Sequence, residues 1–289
     1  FIAALFLMAL AFLIGPDING AKRWLSIGPL SLQPSEFAKP GFVVAVSWML
    51  AESARNPAFP GKLIAGVAYV VLLFLLVNEP DYGQAMLATA VGALMFFIIG
   101  WSWTSIAALG VIASGAIASG YLFAPHIAKR IDGFLNPGGA GTYQVNKALE
   151  AINHGGLFGR GVEGATVKMQ LPDAHTDFIF AVAGEEGGFI LSVVIVTLFA
   201  ALVSRLLIRA TGLKSLFAQC AVSGLAALIG LQSFINIGVN LRILPAKGMT
   251  LPFISYGGSS LLATGLTFGL ILALSRVETR AQRRKEIMP

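Results

Sequence analysis

Residues 178–204 read FIFAVAGEEGGFILSVVIVTLFAALVS, the longest of several apolar stretches in the chain. As a helix this stretch is about 40 Å long at ~1.5 Å per residue, more than the ~30 Å hydrocarbon core of a bilayer. Because 56% of the 289 residues are hydrophobic and 12% are charged, the composition argues against a soluble domain. The sequence predicts an all-α, polytopic helical membrane protein with about eight spans. The other predicted spans are 1–15, 37–51, 62–78, 83–100, 104–123, 216–238 and 254–275.

The positive charges predict how these spans are oriented. The side richer in Lys and Arg is normally cytoplasmic, so we expect a cytoplasmic C-terminus and an extracytoplasmic loop at 124–176, between the fifth and sixth spans. The net charge of +6 follows from this bias and from a basic tail, so it does not indicate nucleic-acid binding. The richer side holds Arg55, Lys62, Arg205, Arg209, Lys214, Arg276, Arg280, Arg283, Arg284 and Lys285, and the short outer loops hold Lys22, Arg23, Arg242 and Lys247.

We interpret residues 1–289 as one membrane domain that includes the loop 124–176. The sequence begins at Phe1 without an initiator Met, and we interpret it as a fragment that lacks its first spans. Cys220 is the single cysteine and lies in a predicted span, so no intrachain disulfide is expected.

Four polar runs, rich in Gly and Pro, separate the apolar stretches. The predicted topology puts all four on the outer face, whereas unrelated loops would be distributed over both faces. We therefore expect a functional site at the outer water–lipid boundary. The runs are residues 19–24 with 33–39, 79–83, 171–178 and 247–260.

The loop 124–176 is too long for a simple connection, and we predict that it is ordered. Tyr143–Ile152 has apolar residues at helical spacing, and we expect an amphipathic helix that lies on the membrane surface. The glycine-dense run 155–164 suits tight turns or a close approach of two backbones.

Several helix starts are predicted from capping residues. Ser35 is predicted to N-cap the second span, with Glu36 in its first turn. Thr176 or Asp173 is predicted to cap the sixth span, and Asp81 to cap the fourth.

Asp177 is the acid that the sequence places best for chemistry. Measured from the cytoplasmic end of its helix, Glu185 and Glu186 fall near the outer edge of the hydrocarbon, and Asp177 lies about 12 Å further out, at head-group depth. Gly184 falls almost below Asp177, and His175 lies beside it. A structural interpretation remains open, in which Asp177 complements the helix dipole and the two glutamates reach water.

Other polar side chains in the outer runs also have two interpretations. Lys39 and Glu36 lie three residues apart, and they either pair with each other or contact a phosphate. Lys22, Arg23 and Trp24 form a basic–aromatic cluster that is also typical of an interfacial belt.

The run 247–260 interrupts the entry to the last span at Pro252, Gly257 and Gly258. Irregular backbone at membrane depth is tolerated only where protein or a watery cavity receives it. The three histidines are scattered, and no residues have metal-ligand spacing. Hydroxyl groups that add hydrogen-bonding capacity to this run belong to Ser255, Tyr256, Ser259 and Ser260.

These motifs together resemble the SEDS family (shape, elongation, division and sporulation). The runs NGAKRW and QPSEFAK, EPDYG, PDAHTDFIFA and KGMTLPFISYGGSS occur in the family's order over nearly the whole chain. The phrases AHTDF and MTLPFISYGG favour the division branch over the elongation branch. The resemblance implies a peptidoglycan glycosyltransferase of the bacterial inner membrane, which polymerises lipid II on the outer face during septal cell-wall synthesis.

The resemblance also implies residue roles. Asp177 matches the family's essential acid, Trp24 an important aromatic residue, and Glu36 with Lys39 a polar pair at the start of a span. The chain departs from the family at 185–188, where Glu-Glu-Gly-Gly replaces the usual large apolar residue after the paired acids. We expect the extra glycine to loosen this helix.

The chemistry of the implied reaction assigns further roles. Conversion of an α-linked diphosphate into a β-1,4 bond inverts the sugar carbon, so a single displacement suffices. Asp177 is the expected general base, and Lys39, with Arg23 or Lys247, is expected to stabilise the departing diphosphate. A divalent cation such as Mg²⁺ or Mn²⁺ can share that second role, and no other cofactor is expected. The other expected substrate-binding residues are Trp24, Glu36, His175, Ser255, Tyr256 and Ser259.

The expected partners are lipid II, a class B penicillin-binding protein, other membrane proteins of the division complex and membrane lipid. Two other functions remain open. A lipid II flippase needs charged groups along a path to the cytoplasm, and the inner half of the predicted bundle is nearly free of charge. A non-catalytic scaffold for the division complex explains the basic tail and the outer loop, but not an acid placed beside a glycine.

Overall fold

The computed structural model describes residues 1–17, 21–28, 30–98, 143–245 and 248–287, with a few isolated positions between 99 and 142. This part of the chain is mainly helical. In chain order it contains α1 (Ile2–Ile14), β1 (Leu25–Ile27), β2 (Leu30–Leu32), α2 (Pro34–Arg55), α3 (Gly61–Asn78), α4 (Tyr82–Ile98), α5 (Tyr143–Gly155), α6 (Gly161–Gly164), a 3-10 turn (Val167–Gln170), α7 (Ile179–Thr211), α8 (Leu216–Asn240) and α9 (Gly258–Ile287).

The helices confirm the predicted class of the fold. Four of the described helices are long and apolar enough to cross a membrane: α3, α7, α8 and the Gly258–Arg276 part of α9. α1 and α4 are shorter apolar helices, and α2 covers the predicted second span. The predicted span 104–123 lies almost wholly outside the described residues. The protein is therefore a multi-pass helical membrane protein.

The chain forms two compact units, and two of the boundaries between them fall within α7 and α8. The first unit comprises residues 1–103, 202–229 and 258–289, and the second comprises residues 104–201 and 230–257. In the first unit α1–α4 pack through large buried side chains such as Met8, Phe42 and Leu72. β1 and β2 pair antiparallel, with Leu25 opposite Leu32.

In the second unit α5 packs against protein. Val145, Ala148 and Ala151 are buried in a cluster with Leu171 and Phe178. The predicted helix is confirmed, but its apolar face is covered by protein side chains, so that face does not hold the helix on the membrane surface.

α7 is broken at Gly188, where the backbone has φ 71° and ψ −167°. A break leaves backbone groups without their helical partners, and the segment 155–160 supplies new ones. The N–H of Phe189 donates to Gly156 O at 2.8 Å, and the N–H of Arg160 donates to Glu185 O at 2.9 Å. The prediction of a loosened helix therefore understates the effect. The helix is broken at Gly188, and the segment 155–160 forms hydrogen bonds with the backbone at the break.

Two predicted helix caps are wrong. α2 begins at Pro34, so Ser35 lies inside the helix, and its buried hydroxyl has no hydrogen-bond partner among the described residues. α7 begins at Ile179, beyond both Thr176 and Asp173, because the preceding residues form turns in which the N–H of Phe178 donates to Asp173 O.

The close approach of the segment 155–160 to the backbone of α7 predicts that Gly159→Ala destabilises the protein. Gly156 and Gly159 both have positive φ, of 61° and 82°, but a Cβ at Gly156 meets open space whereas one at Gly159 overlaps the carbonyl group of Glu186. Gly156→Ala carries only the backbone strain of roughly 1–2 kcal/mol. Gly159→Ala adds a backbone clash, so we expect a thermal unfolding midpoint several degrees lower than that of Gly156→Ala. Equal midpoints for the two purified variants would contradict the close approach.

Candidate functional site

Lys39 lies in a buried network of the first unit. Its ammonium group contacts both carboxylate oxygens of Glu36 at 3.0 Å and donates to Gln84 Oε1 at 2.9 Å. The amide of Gln84 also donates to Glu36 Oε1 at 2.8 Å. The structural pairing of Lys39 with Glu36 is confirmed, and it explains how two charges are tolerated in the interior. A phosphate contact of Lys39 stays a prediction.

The turn between α3 and α4 holds two buried acids. Asp81 caps α4, since Oδ1 accepts from the N–H of Gln84 at 3.4 Å, and Oδ2 accepts from the side chain of Gln33 at 3.4 Å. The predicted cap is confirmed. Burial raises the pKa of Asp81, an effect that the nearby charge of Arg23 partly opposes.

The carboxyl group of Glu79 differs from that of Asp81 in its surroundings. Its side chain is buried, with 1% of the residue exposed, and neither carboxylate oxygen has a partner among the described residues. Burial, together with the negative charge of Asp81, raises the pKa of Glu79 to about 8, against the opposing charge of Arg23. The surroundings of Glu79 therefore favour its protonated form.

The remaining candidates of the first unit lie around the β1–β2 hairpin. Ser259, in the first turn of α9, accepts from the N–H of Gln33 at 3.0 Å and donates to Ser31 O at 3.0 Å. These bonds fasten the hairpin to α9. Trp24 and Arg23 are half-buried just before β1, and Nε of Arg23 is buried with no partner in the described part of the chain.

In the second unit, Asp177 lies two residues before α7. Its main-chain oxygen accepts from the side-chain amides of Asn236 and Asn240, at 2.9 and 3.1 Å. Asn240 also accepts from the N–H of Ala181, in the first turn of α7, at 3.1 Å. The two amides on α8 therefore fix the backbone that carries the half-buried Asp177 side chain. A Cβ at Gly248 would lie 3.2 Å from Asp177 Oδ2.

The structure brings three further candidates to the same segment. The N–H of Tyr256 donates to His175 O at 2.9 Å, and the two exposed rings lie 5.6 Å apart in an edge contact. Ser255 donates to Thr176 O at 2.6 Å and accepts from the N–H of Leu251 at 2.7 Å. The run 171–178 is thus hydrogen-bonded to the run 248–256. Lys247, another candidate, lies outside the described residues.

The predicted surroundings of Glu185 are wrong. Its side chain is fully buried, at 0% exposure, and it accepts from the N–H groups of Val167 and Lys168 at 2.8 and 2.7 Å while contacting His154 Nδ1 at 2.8 Å. Glu185 therefore does not reach water but binds the segment 154–168 to α7. Its neighbour Glu186 bonds the ammonium group of Lys168.

The space beside Gly184 is also filled. A Cβ on Gly155 of α5 would overlap the carbonyl oxygen of Gly184, so the two glycines let α5 and α7 touch. Gly184, which the sequence places almost below Asp177, therefore lies against α5 in the described structure. Within the described residues, no group of three His, Cys, Asp or Glu side chains is arranged to hold a metal ion.

Sequence reasoning missed the amides that organise both units. Gln84, Asn236 and Asn240 are buried, and each bonds a residue of a polar run. The available signal was an amide side chain inside an apolar helix, where an unpaired polar group is costly.

A family model for FtsW, RodA and SpoVE proteins, described as "Cell cycle protein", matches residues 1–280. The chain belongs to the FtsW/RodA/SpoVE family. The resemblance to the SEDS family is thereby confirmed.

Individual relatives of this FtsW/RodA/SpoVE chain carry more specific names. The probable peptidoglycan glycosyltransferase FtsW of Caulobacter vibrioides is 47% identical over 270 residues, which cover 93% of this chain and 69% of that protein. The protein of the same name from Coxiella burnetii is 37% identical and covers 94% of this chain and 75% of that protein. These names agree with the predicted similarity to the division branch.

Solved structures show the same fold. One, described as "Structural coordination of polymerization and crosslinking by a peptidoglycan synthase complex", has a TM-score of 0.79 at 30% identity, covering 96% of this chain and 79% of that chain. A mutant of the Thermus thermophilus rod shape determining protein RodA has a TM-score of 0.70 at 31% identity, covering 96% of this chain and 76% of that chain.

The raised pKa of Glu79 predicts a pH-dependent stability. Because its folded-state pKa of about 8 exceeds the ordinary 4.5, the contribution of Glu79 is fully present below about pH 4.5 and is lost as the pH rises through 8. Glu79→Gln keeps the shape and removes the titration. We therefore expect the wild type to lose thermal stability relative to Glu79→Gln across this interval.

The measurement is the unfolding midpoint of both proteins in detergent at several pH values. The exposed Glu163 gives a matched control, since Glu163→Gln should follow the wild type at every pH. Parallel curves for the wild type and Glu79→Gln would show that folding does not raise the pKa of Glu79.

Proposed function

We propose that this chain is a peptidoglycan glycosyltransferase that polymerises lipid II into glycan strands by inverting transfer, with Asp177 as the general base. Membership of the FtsW/RodA/SpoVE family and the names of its relatives support the reaction class. The assignment of the base depends on one observation. Two buried side-chain amides of α8 hydrogen-bond the main-chain oxygen of Asp177, while the side chain of Asp177 stays partly exposed.

A general base needs a defined position and access to its substrate. Proton abstraction requires a distance of about 2.6–3.2 Å between the carboxylate and the acceptor hydroxyl, so movement of the backbone would weaken it. The amides of Asn236 and Asn240 limit that movement in Asp177. The exposed rings of His175 and Tyr256 lie on the adjoining segment, where they can contact a sugar.

The departing diphosphate needs cationic groups. Lys39 is already bound by Glu36 and Gln84, which favours Arg23 and Lys247 for direct contact and leaves Lys39 to hold Glu36 in place. Arg23 is half-buried and has an Nε without a partner in the described residues. Preorganised cations of this kind stabilise charge most strongly where water is scarce. A divalent cation supplied with the substrate is the alternative.

The cellular setting belongs to the same proposal. We place the C-terminus in the cytoplasm because of the basic residues near it, and the polar runs on the outer face at the division septum. Polymerised strands require crosslinking, and one structural relative belongs to a complex that couples the two activities. A class B penicillin-binding protein and other division proteins are therefore the proposed partners.

The decisive experiment removes the proposed base. Asp177→Asn keeps the size and the polar character of the side chain but is a much weaker base, so we expect polymerisation to fall by at least the ~10²-fold typical of general-base loss. Glycan chains made from labelled lipid II, with the partner transpeptidase present, are measured on a gel. Lipid II binding is measured in parallel and should be unchanged.

Asp173→Asn is the matched control, because Asp173 is exposed in the same run and has φ 55°, a conformation that Asn adopts readily. Its activity should equal that of the wild type. Full activity of Asp177→Asn would end the assignment of the base. Inactive wild type that still moves lipid II across vesicles would favour the flippase, and activity in neither assay would favour the scaffold.

A further inference from the structure

We propose that the segment Gly155–Arg160 is a membrane-inserted loop, whose Leu157 and Phe158 side chains enter the hydrocarbon beside α7. The proposal does not depend on the proposed enzymatic function. It starts from two large apolar side chains that are 63% and 80% exposed in a segment whose other residues up to 159 are glycines.

The backbone of this loop is paired to a membrane-spanning helix. Gly156 O and Leu157 O accept from the N–H groups of Phe189 and Ile190 at 2.8 and 3.3 Å. The loop therefore lies directly against the first residues that follow the break in α7. Those residues are apolar and exposed as well, with Phe189 at 60%, so the loop continues the lipid-facing surface of α7.

The depth of this contact follows from the length of the apolar helix. From Phe189 to Ser204 the helix carries no charged residue, and at ~1.5 Å per residue this part is about 24 Å long. A hydrocarbon core is about 30 Å thick. The start of this part, where Leu157 and Phe158 lie, consequently falls inside the edge of the hydrocarbon when Arg205 lies at the opposite interface.

Irregular backbone in lipid needs hydrogen-bond partners, and three N–H groups of the loop have partners in the protein. The N–H groups of Gly156, Gly159 and Arg160 donate to Asn153 O, Gly155 O and Glu185 O. The guanidinium of Arg160 is turned back to His154 O, with Nε donating at 2.9 Å. The charged end of the loop is thus held by protein while the apolar tip is left outside it.

Lipid is favoured over a protein partner because the exposed tip shares a surface with a span that must face lipid. The apolar window of α7 is only 11% buried inside the protein, and the tip extends this surface without an intervening charge. Inserted in this way, the loop fixes the depth of the N-terminal end of α7 in the bilayer.

The test places an environment-sensitive fluorophore on the tip. The buried Cys220 is first replaced by Ala, and Phe158→Cys is labelled with NBD in the full chain reconstituted in phosphatidylcholine nanodiscs. Quenching by lipids with spin labels on the acyl chain is compared with quenching by iodide in water. Two reference positions carry the same probe: Val193→Cys, exposed on the spanning part of α7, and Glu163→Cys, exposed in α6 just after the loop.

We expect the acyl-chain labels to quench the Phe158 probe as strongly as the Val193 probe and several-fold more than the Glu163 probe, with little effect of iodide. Leu157→Cys provides a second position if the first variant does not fold, and it should behave in the same way. Quenching by iodide equal to that at Glu163, with none by acyl-chain labels, overturns the proposal. Shielding from iodide only after a partner protein is added also overturns it, because the surface then belongs to that partner.

Discussion

The second unit depends on pairing the backbone where α7 is broken at Gly188. An unpaired N–H or C=O group away from water costs several kcal/mol, so the break persists only because another segment receives it. Residues 155–160 do so with main-chain hydrogen bonds. A Cβ at Gly159 or Gly188 would overlap the backbone of the other segment, so the approach needs glycine. Glu185 adds a buried carboxylate that binds the 3-10 turn after α6, through the N–H groups of Val167 and Lys168.

The first unit solves a related problem with side chains. Lys39, Glu36 and Gln84 satisfy one another, so the buried cation and the buried anion compensate each other. The carboxyl group of Glu79 has no such partner among the described residues, and its environment favours the protonated form instead. The cost of a buried charge is thus offset by ion pairing at Lys39 and by protonation at Glu79. The two polar runs that contain these residues are joined by the hydrogen bond between Gln33 and Asp81.

The sequence predicted those features that depend on local pattern. Apolar length located the long helices of the described residues, and Asp81 was recognised as a cap because its own turn contains both the acceptor and the donor. The prediction that Ser35 caps α2 was wrong because the helix already begins at Pro34. The errors at Glu185 and Gly184 have a different cause, because their partners lie on the segment 154–168 and on α5, which no local pattern connects to α7. The fold was therefore more predictable than the contacts of its polar residues.

Asp177 illustrates how the fold and the candidate chemistry are related. Sequence reasoning selected it for its depth, but depth alone does not distinguish a base from a residue that complements a helix dipole. The main-chain contacts give a more specific argument. A residue needed only for its charge near α7 gains little from having its carbonyl bound by two amides, since a helix dipole acts over a whole turn. A base that must meet one hydroxyl at hydrogen-bond distance gains accuracy from that restraint, and Asn236 and Asn240 supply it from the interior of α8.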